Sequence, residues 1–553
     1  MEPRRQPRYV GNDKGTLGSN AARGGTGVEA DIVVIGCGSG GSAVAGRLSE
    51  GGKYSVAVLE AGGRNTGLRT IMPGMMPFQT DKTNWGFETV PQPGLNGRRG
   101  YQPRGKGLGG SSAINAMLYI RGNPGDYDEW RDVGCTGWGW DDVLPWFRRS
   151  EHNVRGADGF HGDDGPLWVS EQDSAHPGSR AFIEAASRLQ IPVNRDFNGA
   201  HQDGVGLYQV TQKNGERWTA SRAYLPAGRR DNLDIVCDAL VERILFEDGR
   251  ATGVAYRQGG QSCQIRARRA LVLAAGAFQT PQLLMLSGIG PAAHLAQLGL
   301  PVQLDRPAVG ADLQDHIDYT AAFETEGSFF LGRSPMGTLK SLGALVQWLF
   351  TRGGGMTSPY AEAGGFLRTA FAGDRPDIQL HFLTAIVEDH GRTKVKGHGY
   401  SCHACVLRPE SRGSVRLQSA DAAASPLIDP AFLSDPRDMA VLKAGVRAMY
   451  RILDTPPLAD HKGRDRYPVD LADDIALEAL IRARADTVYH PVGTARMGSD
   501  DEAVVDPRLR VRGVDGLYIA DASVMPRLIG GNTNAPSIMI GERCAAFIAE
   551  DLG

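Results

Sequence analysis

Six residues near the N-terminus, Gly36-Cys-Gly-Ser-Gly-Gly41, restrict the fold more than any other segment. They follow the apolar, β-branched run Asp31-Ile-Val-Val-Ile35 and precede Ser42-Ala-Val-Ala-Gly-Arg-Leu48. The first run reads as a buried parallel strand and the second as a helix. Tyr54-Ser-Val-Ala-Val-Leu59 reads as the next strand and ends at Glu60, followed by Ala61. One βαβ unit of about 30 residues satisfies this order. In such a unit Gly36 permits the turn, and Gly38 lets the backbone approach a pyrophosphate. Gly41 lets helix and strand pack closely. The phosphates then sit at the helix N-terminus beside Ser39 and Gly40. Glu60 is placed to accept hydrogen bonds from an adenosine ribose.

Composition excludes several other classes. Lys and Arg number 60 and Asp and Glu 63, a net charge of −3 over 553 residues. Nucleic acid as the main partner would need a basic face, so none is expected. Hydrophobic residues are 41% and charged residues 22%, enough for a large core. The seven cysteines are scattered, which argues for a reducing compartment rather than a disulfide scaffold. Cys402 and Cys405 suggest a metal or redox pair, but positions i and i+3 of a strand point to opposite faces. They are read as structural, and no metal site is expected. No run of 18 apolar residues exists, so no membrane-spanning helix is expected. Residues 1–28 have no apolar signal core and read as a flexible extension. The expected location is cytoplasmic.

Farther along, Asp234 to Arg257 reads as strand, charged turn and strand. Ala270-Leu-Val-Leu-Ala-Ala275 reads as a buried strand ending at Gly276. Thr280-Pro281 reads as a helix start and Ser287-Gly288 as its end. Residues 330–480 read as antiparallel sheet plus helices, with strands at Ile378–Phe382, Tyr400–Leu407 and Ser414–Leu417. The chain end returns to the α/β pattern of the N-terminal part, with a strand at Gly516–Ala520, then Asp521, a loop, and a helix from about Ala535. The expected fold is therefore α/β and α+β. A Rossmann-like nucleotide domain is assigned residues 29–155, 222–328 and 481–553. An inserted domain of antiparallel sheet and helices is assigned 156–221 and 329–480. The glycine motif alone does not separate NAD from FAD. Asp521 reads either as a holder of ribityl hydroxyls or as a turn cap. The helix start at Ala535-Pro536 faces an anionic flavin edge in the first of these readings.

Two segments are longer and more specific. Arg104-Gly-Lys-Gly-Leu-Gly-Gly-Ser-Ser-Ala-Ile-Asn-Ala-Met-Leu-Tyr-Ile-Arg-Gly122 and Gly276-Ala-Phe-Gln-Thr-Pro-Gln-Leu-Leu-Met-Leu-Ser-Gly-Ile-Gly290 resemble the two signatures of the glucose–methanol–choline (GMC) oxidoreductases. Val205–Gly215 and Tyr489–Gly498 resemble the choline-dehydrogenase-like alcohol dehydrogenases of bacteria, notably the medium-chain aliphatic type. The resemblance runs from about residue 29 to the end. It implies an FAD domain and a substrate domain whose sheet roofs the flavin. It places Gly38, Gly40, Glu60, Gly109, Gly110, Asn115, Met117, Val241, Asp521 and Ala522 on FAD. The expected contact extends to the neighbours Trp85, Arg104, Gly107, Ser111, Ala116, Leu118, Ala275, Gly276, Asn532 and Asn534. Some relatives tether the flavin through a His two residues before the Arg of the first signature. Gln102 stands there, so a non-covalent flavin is expected.

Oxidising an alcohol by hydride transfer requires a base for the hydroxyl proton, and a histidine near neutral pH suits that task. Of twelve histidines, His490 lies between apolar Val488-Tyr489 and Pro491-Val492. The resemblance makes it the general base. The same resemblance assigns the second catalytic position to Asn534, holding the substrate oxygen; its alternative is a helix N-cap. The expected reaction is oxidation of a neutral primary alcohol to the aldehyde, with electrons passing to a quinone or another carrier. An oxidase that reduces O₂ to H₂O₂ is the alternative, and choline or an aryl alcohol the alternative substrates. Phe329, Phe330, Phe366, His381 and Phe382 are candidate pocket residues. Leu342–Phe350 reads as a buried helix, with peripheral contact to a quinone-bearing membrane as its alternative. Oligomeric state is left open.

Overall fold

The computed structural model describes residues 28–172, 175–225 and 230–553. The expected flexible extension therefore lies outside the described residues, save for its last position.

Val28–Ile35 and Val56–Leu59 pair in parallel, Ile32 opposite Val56. Leu233–Val236 adds beyond Val56–Leu59, and Gln261–Leu273 adds on the other side of Val28–Ile35. Gln261–Leu273 is long enough to serve two partners. Its first half continues into an antiparallel meander with Arg250–Gln258 and Ala239–Glu247, and its second half pairs in parallel with Leu517–Ile519. Val33, Val34, Val58, Leu271, Val272 and Leu273 are fully buried, as strands covered on both faces require. The helices Ser39–Ser49 and Asn534–Asp551 pack together against this sheet.

A second sheet runs Arg464–Asp465, Ile317–Thr325, Gly397–Val406, Ile378–Leu383, Ala361–Leu367, Gly204–Leu207, antiparallel between neighbours. The helices Pro177–Arg188 and Pro436–Leu453 cover one face, burying Ile378, Leu380, Phe382 and Cys402 against Phe182, Leu442 and Val446. Cys405 faces the other way, into a separate cluster with Tyr208 and Phe366. The two cysteines therefore lie on opposite faces of one strand.

Three sequence expectations need correction. Ile317–Thr325 and Asp486–Thr487 lie in the second sheet, although the sequence reading places their segments in the first domain. The helix expected to start at Thr280-Pro281 begins at Gly276 and passes through Pro281. Thr280 does not cap it; its hydroxyl donates to Asp521 Oδ2 at 2.6 Å. Finally, Leu342–Phe350 belongs to a helix, Pro335–Thr351, of which only Gly337 and Trp348 are buried. An apolar stripe has the same period whether it faces a core or the outside, so periodicity does not reveal its direction.

Candidate active site

A cavity of about 1440 Å³ opens beyond the carboxyl ends of the parallel strands and under the second sheet. It exceeds the roughly 300–1,000 Å³ of a small-ligand site, so it has room for a dinucleotide and a second molecule. Three helices begin on its wall, at Ser39, Gly276 and Asn534. Their convergent amide ends favour anionic groups.

The glycine loop is fixed by contacts that exclude a side chain. A Cβ on Gly41 would lie 2.0 Å from Gly36 O, whereas Gly38 has nothing nearer than 4.0 Å and leaves its side of the cavity open. Glu60 accepts the N–H groups of Cys37, Gly62 and Gly107, each at 2.9 Å. It thereby gathers three loops and keeps acceptor capacity towards the cavity. Gly109 N donates to Cys37 O at 2.8 Å and folds the segment 104–118 onto the glycine loop. Arg217, which sequence reasoning missed, is fully buried and donates to Asn115 O and Oδ1 at 2.6 and 2.8 Å. Burial pushes its guanidinium down to about 9. Asp521 is both cap and wall: it accepts from Gly276 N, Thr280 Oγ1 and Ser523 N while lining the cavity, and burial raises its carboxyl.

Of the expected cofactor residues, Gly36, Gly38, Ser39, Gly40, Glu60, Ala61, Trp85, Arg104, Gly110, Ser111, Asn115, Ala116, Met117, Leu118, Val241, Ala275, Gly276, Asp521, Ala522, Asn532 and Asn534 line this cavity. Gly41, Gly107, Gly109, Ala535 and Pro536 stand behind it and shape the backbone. Phe329, Phe330 and His381 also line it; Phe366 and Phe382 point into the cores instead.

His490 is buried at the junction of the two sheets. Its backbone N–H donates to Asp315 Oδ1 at 2.8 Å, and Asp315 Oδ2 accepts from Thr487 Oγ1 at 2.6 Å. Burial pushes this carboxyl up to about 6. Tyr489, just before, has φ +76°, a left-handed conformation costing roughly 1–3 kcal/mol for a bulky residue. Arg104 holds it by donating to Tyr489 O at 2.8 Å. Burial lowers the Arg104 guanidinium to about 10.

The imidazole of His490 sits in a chain of hydrogen bonds with one consistent direction. His316 Nε2 is 3.0 Å from the carbonyl of Leu407, which only accepts, so that nitrogen carries the hydrogen. Burial drives His316 down to about 4, so it is neutral and its Nδ1 is an acceptor. His490 Nδ1, 2.9 Å away, must then donate to it. This leaves the lone pair of His490 on Nε2. Asn532 Nδ2 donates to that lone pair at 3.1 Å, and Gln379 Nε2 donates to Asn532 Oδ1 at 3.1 Å, fixing the amide orientation. Burial, and then the neighbouring His316, His381 and Arg104, hold His490 well below the usual histidine range. The expectation of a base poised near neutrality shifts accordingly: burial favours the neutral form of the ring.

The residue that meets His490 is Asn532, not Asn534. Asn534 begins the last helix and accepts from Ser39 Oγ at 2.6 Å, joining two helix N-termini across the nucleotide end of the cavity. Sequence reasoning also missed His316 and Gln379. Gln379 had a signal: in Ile378-Gln-Leu-His-Phe382 the polar residues alternate, so they share one face, on which His381 lines the cavity and Gln379 meets Asn532.

The same chain matches the N-terminal GMC oxidoreductase family model over residues 30–318 and the C-terminal model over 409–541. It belongs to the GMC oxidoreductase family. It is 44% identical over 530 residues to an alcohol dehydrogenase [acceptor] of Pseudomonas putida, covering 94% of this chain and 95% of that one. It is 43% identical over 528 residues to an oxygen-dependent choline dehydrogenase of Rhizobium johnstonii, covering 94% and 96%. Among solved structures, pyridoxine 4-oxidase from Mesorbium loti matches with a TM-score of 0.84 at 32% identity, over 93% of this chain and 98% of that chain. A mutant form of Aspergillus oryzae formate oxidase matches at 0.88 and 26% identity, over 95% and 99%. This GMC protein is an FAD-dependent oxidoreductase. The cavity fits FAD: open backbone at Gly38 and Gly276, converging helix ends, and the buried carboxylates of Glu60 and Asp521 on its wall.

Proposed function

We propose that this protein oxidises an uncharged primary alcohol to the aldehyde. His490 is the general base, Asn532 holds the substrate oxygen, and a quinone or another carrier takes the electrons. The observation that carries this reading is the single lone pair on His490 Nε2, kept neutral by burial and aimed at the cavity wall beside Asn532. Bound FAD supplies the hydride acceptor, N5 of its isoalloxazine ring. The substrate hydroxyl takes the place of the Asn532 contact on Nε2 and gives its proton there. Asn532 Nδ2 then donates to the substrate oxygen as it becomes negative. His490 Nδ1–H remains on His316 throughout, so the ring does not rotate.

The cavity's charges support an uncharged substrate over choline. Among the described residues, Glu60 and Asp521 are the only carboxylates on its wall, and both sit at the nucleotide end. The outer end carries Arg333, Lys340, Arg392 and Lys394. A quaternary ammonium group would find no counter-charge there. Gln102 is buried, 3.4 Å from Asp315 Oδ2, and has no nucleophilic ring nitrogen, which supports non-covalent FAD. The test is His490→Ala, assayed with a primary-alcohol panel and a redox dye, with and without oxygen. It is expected to keep its yellow FAD and lose most turnover. A His490→Ala enzyme with near-normal turnover would remove the base from this reading.

A further inference from the structure

The helix Pro335–Thr351 is built the wrong way round for a surface helix. Trp348 and Gly337 anchor it to the body, and Trp348 Nε1 donates to Gly215 O at 2.8 Å. At about 100° per residue, Met336, Leu339, Leu342, Val346, Leu349 and Phe350 fall within an arc of about 140°, opposite those anchors. All six are exposed, Phe350 by 86%, Leu339 by 64% and Leu342 by 57%. Lys340 is the only charged residue in the helix. The apolar surface continues across the cavity mouth, where Phe78, Phe329 and Leu331 are exposed and also line the opening. Such a contiguous patch marks an interaction surface.

The charges around it select the partner. Arg333, Lys340 and Lys394 line the same mouth, and none has a carboxylate within 4.0 Å among the described residues. Arg392 is balanced by Asp389, and Arg352 at the helix end by Glu216. A second copy meeting this face about a two-fold axis would bring like cations together. A layer of anionic headgroups over acyl chains meets both the basic rim and the apolar stripe. No helix among the described residues is long and apolar enough to cross a membrane, and this one has a single apolar side about 25 Å long. We propose that this face docks on an anionic lipid bilayer, with Pro335–Thr351 lying in the plane of the interface and the cavity mouth turned to the acyl chains.

The test is sedimentation of the FAD-loaded enzyme with vesicles of phosphatidylcholine alone and of phosphatidylcholine mixed with phosphatidylglycerol. Wild type is expected to bind the mixed vesicles, and less so as salt rises. Combined Leu339→Ser, Val346→Ser and Phe350→Ser changes touch no cavity wall. They are expected to cut binding at least about tenfold while leaving dye-linked oxidation of a short, water-soluble alcohol intact. Lys340→Glu with Lys394→Glu is expected to abolish the preference for phosphatidylglycerol. The proposal is overturned if wild type ignores both vesicle types, or if the triple variant binds as wild type does. It is equally overturned if wild type is a dimer that the triple variant splits and neither binds vesicles; the occupant is then a second copy.

Discussion

Replacing His316 by Phe isolates the link that sets which nitrogen of His490 bears the lone pair. The ring volume stays similar, but the acceptor for His490 Nδ1–H, now 2.9 Å away, is gone. Both rings are buried, so the orphaned donor costs about 1–3 kcal/mol. The tautomer with hydrogen on Nε2, which His316 excludes in the wild type, then competes: it trades the orphaned donor for an unpaired acceptor and has no base to offer the substrate. If the whole difference is expressed in the transition state, kcat falls about 5- to 150-fold, at about 1.4 kcal/mol per tenfold. His316→Gln keeps an acceptor oxygen for His490 and an N–H for the Leu407 carbonyl, and is expected to recover much of the rate. The assay is dye-linked alcohol oxidation with kcat and KM separated, together with FAD content by absorbance. The loss should lie in kcat. A Phe variant within twofold of wild type, or a Gln variant no better than Phe, would refute the tautomer argument.

Other expectations follow from the same geometry. Asn532→Ala should lower kcat with FAD retained. Asn534→Ala, which breaks the 2.6 Å bond to Ser39, should loosen FAD with a smaller effect on the rate of the loaded enzyme; dye-linked rates and FAD titration distinguish them. His316 and His381 are held neutral by burial, at about 4 and about 3, against about 6.5 in an unfolded chain. The unfolded state then binds more protons below pH 6.5, so stability is lost as the pH falls. At pH 5 each costs about 2 kcal/mol, and a melting temperature flat from pH 7 to 5 would contradict this. Gly41→Ala would put a Cβ 2.0 Å from Gly36 O and should yield protein without FAD or no folded protein at all, read by flavin absorbance and circular dichroism.

The parallel strand, glycine loop and helix were legible because their signals are local: β-branched residues, then glycines, then small helix formers. The pairing of Asn532 with His490 was not. Two asparagines two residues apart flank Thr533, and which one faces the imidazole depends on the helix beginning at Asn534, a boundary that sequence places only loosely. His316 carried no signal of its own, since its role arises from a strand meeting a segment 174 residues away. The exposed face of Pro335–Thr351 escapes a sequence reading because amphipathicity reports a stripe and not what the stripe covers. Thr280 misleads because a Thr-Pro pair is a good helix start, yet here the carboxylate of Asp521 claims the hydroxyl.

The row of donors that begins at Gln379 ends on the carbonyl of Leu407, which has no vacancy for a proton. A proton that His490 takes up under the proposed mechanism would therefore have no exit along this row. On that mechanism it would leave through the cavity mouth, and each cycle would reset only once the product had cleared the entrance and solvent could reach the ring.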